Sequence, residues 1–133
     1  MTESEALPPA SRRFVILAHE EPDGSLHYDL MLQAPGEQLW TWSFARPPGG
    51  EEASCQRLFD HPDRFLTYEG PLREGRGRVQ RYDIGSCLVT GDPADTLLLS
   101  LRGRKVTGTF RLRVASEAQK PTDKRGYLWQ PLE

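Results

Sequence analysis

Apolar and polar residues alternate with a period of two along much of this chain. The clearest case runs from Leu26 to Leu32, LHYDLML. Successive strand side chains point to opposite faces, so this alternation predicts a half-buried strand from Leu26 to Gln33. Leu26, Tyr28, Leu30 and Leu32 fall on one face; His27, Asp29 and Met31 fall on the other. Upstream, Arg12 to Ala18 predicts a first strand, closed by His19, and Pro22-Asp23-Gly24 predicts the turn that returns the chain. Downstream, Trp40, Trp42 and Phe44 alternate with Leu39, Thr41 and Ser43, predicting a third strand from Leu39 to Phe44.

Beyond that point the pattern is broken by frequent turn signals. Pro47 to Glu52 is a Pro/Gly loop, Gln56 to Asp60 is short and ambiguous, and FLTYEGP after His61-Pro62 predicts a short strand or a helical turn. Val79 to Asp83 and Cys87 to Thr90 predict two short strands. Thr96 to Leu101 and Val106 to Val114 predict a hairpin across Arg102 to Lys105. Glu117 to Arg125 reads as a polar loop, and Tyr127 to Trp129 as a final strand. No stretch holds a helical period beyond about two turns. Many short strands at regular spacing predict a mainly β chain, a compact antiparallel β-barrel with few short helices. Residues 1–11, with two prolines and no periodicity, predict a flexible arm, leaving residues 12–133 as one domain.

Composition narrows the class without changing the fold. A hydrophobic content of 37% with 27% charged residues describes a soluble globular chain rather than a disordered one. No apolar run approaches the roughly 20 residues that cross a bilayer. The first residues lack an apolar signal core, so no membrane and a cytoplasmic location are expected. Cys55 and Cys87 form no CxxC pair and read as free thiols in a reducing compartment. The net charge of −2 hides an asymmetry: eight basic residues lie between Arg76 and Arg113 against three acids. Arg76, Arg78, Arg111 and Arg113 are the candidates for tracking a phosphate backbone, the competing reading being a solvated strand face.

The chemistry concentrates at the first turn. A hairpin there brings His19 beside His27 and Asp29, and two imidazoles with one carboxylate suit Zn, Fe or Mn. The alternative is that each is an ordinary residue on a polar strand face.

Five motifs then occur in a telling order: FVILAHEE…LHYDLML, TWSFARPP, RLFDHPDRFLTYEGP, GRGRVQRYDIG and VTGTFRLRV. Together, from about Phe14 to Trp129, they resemble the 3′-phosphoesterase domain of bacterial DNA ligase D and its small stand-alone relatives. The resemblance implies a compact β-barrel that trims DNA or RNA 3′ ends, removing a terminal ribonucleoside and then a 3′-phosphate. It implies manganese, with zinc as the alternative, held by His19, His27 and Asp29. It places His61 beside the scissile phosphate, and Arg57 and Arg46 as cations serving that phosphate. Tyr68, Glu69 and Gly70 match a signature read as scaffold. The implied partners are nucleic-acid 3′ ends and end-joining repair proteins, with the chain itself a monomer.

The chain also departs from that family. The interval from His19 to His27 is eight residues, longer than the family's. Met31 stands where the family carries an arginine, Phe65 where it often carries a tyrosine, and the loop at Gly75 to Gly77 is shorter. These changes remove a cation and a hydroxyl while leaving the ligand set. The second reading is therefore a non-catalytic nucleic-acid-binding or repair-accessory module on the same barrel.

Overall fold

The computed structural model describes residues 7–116 and 125–132. Nine strands account for most of them: β1 (Leu7–Glu20), β2 (Leu26–Ala34), β3 (Gln38–Phe44), β4 (Ala53–Pro62), β5 (Gly70–Pro71), β6 (Arg78–Asp92), β7 (Thr96–Gly103), β8 (Thr107–Ser116) and β9 (Gly126–Leu132). Two 3₁₀ turns, Asp63–Leu66 and Arg73–Gly75, flank β5. Eight strands form a closed antiparallel barrel in the order β1-β2-β3-β4-β9-β8-β7-β6, sealed by pairing of β6 with β1. The two residues of β5 add to the start of β6.

The alternation read from the sequence has a direct packing consequence. Phe14, Ile16, Leu30, Leu32, Trp40, Trp42 and Phe44 point into the barrel, where they meet Leu97, Leu99, Phe110, Leu112, Tyr127 and Trp129. Aromatic rings meet edge-on there: Trp42 lies 5.7 Å from Tyr127 and Phe44 lies 5.5 Å from Trp129. That offset geometry suits ring quadrupoles better than face-to-face contact. Cys55 and Cys87 are buried in this interior as free thiols, and burial pushes both up to about 12, which leaves them unreactive near neutrality.

The opposite faces of the same strands carry a second core. Val15, Leu17, Met31 and Leu39 point outward and are covered by Phe65 and Leu66 of the first 3₁₀ turn, with Val79. Burying each of those two covering side chains contributes on the order of 1.5–3 kcal/mol. The segment from His61 to Val79 thus lies over the outer wall of the barrel. Tyr68 donates its hydroxyl to the Pro71 carbonyl, and Glu69 accepts the Arg81 N–H at 2.8 Å, so both serve the backbone.

Several boundaries differ from those expected. β1 begins at Leu7, inside the stretch read as an arm, and pairs with β6; the register skips across Pro8 and Pro9, which have no N–H to give to the ladder. The two short strands expected between Val79 and Thr90 are one strand, β6. Gly85 at its centre is a close approach rather than a break: a Cβ there would sit 2.1 Å from the Arg102 carbonyl oxygen. The ambiguous stretch around Gln56 lies within β4, and most of the loop expected from Glu117 lies outside the described residues.

One buried carboxylate holds the β7–β8 end together. Asp83, 3% exposed, accepts four backbone N–H groups, from Ile84, Arg104, Lys105 and Val106, at 2.8 to 3.1 Å. Removing it leaves those donors without their acceptor, so Asp83→Ala is expected to cost roughly 2–4 kcal/mol. Urea unfolding monitored by tryptophan fluorescence checks this. A loss under about 0.5 kcal/mol at unchanged m-value would show that water replaces the carboxylate freely.

Candidate metal centre

The β1–β2 hairpin pairs His19 directly with His27, and β2 alternation sets Asp29 on their face. His19 Nδ1 lies 3.0 Å from His27 Nε2, His27 Nε2 lies 3.3 Å from Asp29 Oδ1, and His19 Nδ1 lies 4.0 Å from Asp29 Oδ2. The candidate ligand atoms of these three residues all lie within 4.8 Å of one another. Asp29 is 3% exposed, and its Oδ1 is a buried oxygen with no hydrogen-bond partner.

The outer ring nitrogen decides the tautomer of His19. His19 Nε2 lies 3.0 Å from the Arg76 carbonyl oxygen, which can only accept, so the proton sits on Nε2 and the Nδ1 lone pair faces the cluster. His27 has a carboxylate at each nitrogen, Glu21 at 3.3 Å from Nδ1 and Asp29 at 3.3 Å from Nε2, and a proton on Nδ1 is the tautomer that would turn the Nε2 lone pair inward. At 3.0 Å, His19 Nδ1 and His27 Nε2 share either a proton or a cation between them. With the orphaned Asp29 oxygen added, the donor set fits a divalent cation, and Glu21 and the Arg76 carbonyl take the outer-shell orienting role that such histidines usually need. Glu21 was not anticipated. Its position two residues beyond His19 was the available signal.

The cluster lies at the edge of a cavity of about 1130 Å³ on the outer face of the barrel. Its floor comes from β1, β2 and β3 and includes Met31 and Ser43; Leu58, Phe59 and His61 of β4, Phe65 and Val79 close around it. Arg64, Arg73 and Arg76 line it. His61 faces this cavity but is not a member of the ligand cluster. Its Nδ1 lies 3.0 Å from the Phe59 carbonyl oxygen, which places the proton on Nδ1 and leaves Nε2 as a proton acceptor. Burial holds its pKa below the usual imidazole value, against the opposing pull of Asp29.

The cations expected at the phosphate are placed differently. Arg46 is exposed and does not line the cavity; Arg57 does not line it either. The register of β3 with β4 shifts by one residue between Leu39↔His61 and Thr41↔Leu58, a bulge that turns Arg57 to the Trp42 side of the strand. There its guanidinium lies 5.5 Å from the Trp42 ring and 3.8 Å from Asp60. Of the four basic residues assigned to nucleic acid, Arg76 lines the cavity and Arg78 is exposed nearby on β6. Arg111 and Arg113 both donate to Gln130 Oε1 at 3.1 Å on β8, which lies four strands from β2 in either direction around the barrel. A strand ending at the cluster would have to cross half the circumference to reach them. Arg64 and Arg73 were the cations missed; both sit in the segment that roofs the second core.

No protein-family model matches this chain, and no curated protein matches it.

Two outcomes follow from this geometry. Mn²⁺ added to purified protein should raise the melting temperature, since a ligand bound by the folded state alone stabilises it. His27→Ala should abolish that rise, and an unchanged shift in the variant would move the ligands elsewhere. The second concerns His61. The unfolded chain takes up this proton near the ordinary imidazole value while the folded chain resists it. Its contribution is therefore complete above about pH 6.5 and is lost as pH falls from there towards the folded value. Urea midpoints at pH 7.5 and pH 5.5 should differ more in the wild type than in His61→Asn. Equal differences would mean the ring titrates as it does in solvent.

Proposed function

We propose that this chain is a metal-dependent phosphoesterase acting on the 3′ ends of DNA or RNA, in the manner of the ligase D domain it resembles. The observation that carries the reading is the inward convergence of His19 Nδ1, His27 Nε2 and the orphaned Asp29 carboxylate at the edge of a cation-lined cavity. His19, His27 and Asp29 would hold a divalent cation, manganese or zinc, which would polarise a phosphoryl oxygen and make a bound water more acidic. The Arg76 carbonyl keeps His19 in the tautomer that binding requires, and Glu21 offers His27 Nδ1 the acceptor that the same tautomer needs. Arg73 and Arg76, rather than Arg46 and Arg57, are positioned to balance charge on the phosphate. His61, neutral and with its Nδ1 proton committed to the Phe59 carbonyl, is suited to accept a proton at Nε2. It is a proton acceptor first, and can donate to a leaving oxygen only after it has accepted.

A second reading is favoured by a specific feature. The floor residue Met31 is buried and apolar, and neither Arg46 nor Arg57 lines the cavity. A module that holds a nucleic-acid end without cutting it would tolerate both. Turnover separates the two readings. Wild-type protein with Mn²⁺ should release phosphate from a 3′-phosphate-ended primer–template, and His61→Ala should lower that rate on the order of 100-fold while keeping the metal-induced rise in melting temperature. No phosphate or nucleoside release from 3′-phosphate and 3′-ribonucleoside ends would leave the binding module as the surviving reading.

A further inference from the structure

Phe59 has no packing role that accounts for it. It is 74% exposed, the most exposed of the large apolar side chains described. Its ring nevertheless has a fixed partner: it stacks on His61 with centroids 4.7 Å apart and planes 9° from parallel. His61 in turn meets Phe65 edge-on at 5.7 Å, and Phe65 meets Tyr68 edge-on at 5.9 Å. Phe65 is buried, so the stack is anchored in the second core and ends in a flat face open to solvent. Phe59 shares the face of His61 by ordinary alternation, and the β4 bulge leaves that pair intact. Its extra residue, between Leu58 and His61, brings Leu58 to the cavity in the place alternation would give Arg57.

The surroundings narrow what such a face would take. The same cavity is lined by Arg64, Arg73 and Arg76, and by the apolar side chains of Pro22 and Leu72. Cations for a phosphate and a flat aromatic face beside them are the two requirements of a nucleotide, because every nucleobase offers a π-face whatever its sequence. An apolar partner peptide would leave the arginines unmatched, and a bare phosphate would leave Phe59 unused.

We propose that the Phe59–His61 stack is the subsite for the nucleobase of the 3′-terminal nucleotide, fixing that nucleotide while its phosphate faces the cluster. The proposal rests on the reading of the cavity as a nucleic-acid end site. It makes Phe59 a substrate-binding residue that recognises a base by shape and polarisability rather than by its hydrogen-bonding edge.

Binding of two 3′-phosphate-ended single strands tests it, one with a normal terminal base and one whose terminal residue is abasic, followed by fluorescence anisotropy in EDTA so that no cleavage intervenes. Phe59→Ala should weaken the base-bearing strand roughly 5- to 100-fold, the range found when a stacking aromatic is removed. It should leave the abasic strand unchanged, and Phe59→Trp should restore the difference. Because the side chain is mostly in water, its removal should not alter the melting temperature by more than about a degree or two. Equal weakening of both strands, or of neither, overturns the base subsite. If the wild type still releases phosphate in that case, the phosphoesterase reading stands alone. If the wild type binds neither strand, the base subsite falls, and phosphate release with Mn²⁺ decides the phosphoesterase reading separately.

Discussion

Pairing of β1 with β6 is the contact on which the rest of the molecule depends. It turns a curled sheet into a closed barrel, and it runs from Leu7↔Gly91 to Glu20↔Arg78. At the far end of that ladder the chain entering β6 must pass against the end of β1. Gly77 makes the passage possible: its φ is +95°, and a Cβ there would lie 1.9 Å from the Glu20 carbonyl oxygen. The residue before it, Arg76, thereby offers its carbonyl to His19. The strand pairing that closes the fold thus also determines which nitrogen of a candidate ligand carries the proton. A side chain at Gly77 would disturb barrel closure and the ligand tautomer through one collision.

Most of the barrel and the clustering of His19, His27 and Asp29 could be read from the chain because both follow from strict alternation. In β1, β2 and β3, the neighbour two positions away shares a face whatever the rest of the protein does. His27, Asp29 and Met31 therefore needed only a strand to be placed together, and His19 needed only a hairpin. Where alternation breaks, local reading fails. Arg57 sits two residues before Phe59 and four before His61, a spacing that puts it on the site face of a regular strand, but the bulge reverses it. Nothing in RLFDHP announces the extra residue. Gly85, between the two short strands expected from Val79 and from Cys87, instead marks two strands in close approach. Arg64 and Arg73 could not be assigned without knowing that the segment after Pro62 folds back over the outer wall.

The electrostatic picture follows the same division. A basic half was visible in the composition, yet its members do unlike things. Arg76 faces the cavity, while Arg111 and Arg113 share one glutamine oxygen on the opposite wall, and Gln130 is itself tied to Glu52. Lys105 lies 4.2 Å from the Tyr82 ring. Charge counted along a barrel strand is distributed around a circumference, so neighbours in sequence blocks become strangers in space. What matters at the cavity is a small set of arginines brought in by the covering segment.

The location of the cavity on the outside of the barrel separates two duties that many enzymes combine. Its floor is the reverse side of strands whose inward faces hold the core together, so the floor cannot change without loosening the fold. Its roof is the fifteen residues between β4 and β6, which hold two single 3₁₀ turns and a two-residue strand. Apart from Phe65 and Leu66, which cover the second core, Glu69, which holds the Arg81 N–H, and Gly77, which lets the barrel close, that roof can exchange its side chains while the strands beneath keep their register. A family built on such a plan would keep its reactive groups and vary what it admits, much as a workbench keeps its vice while the jigs above it are swapped.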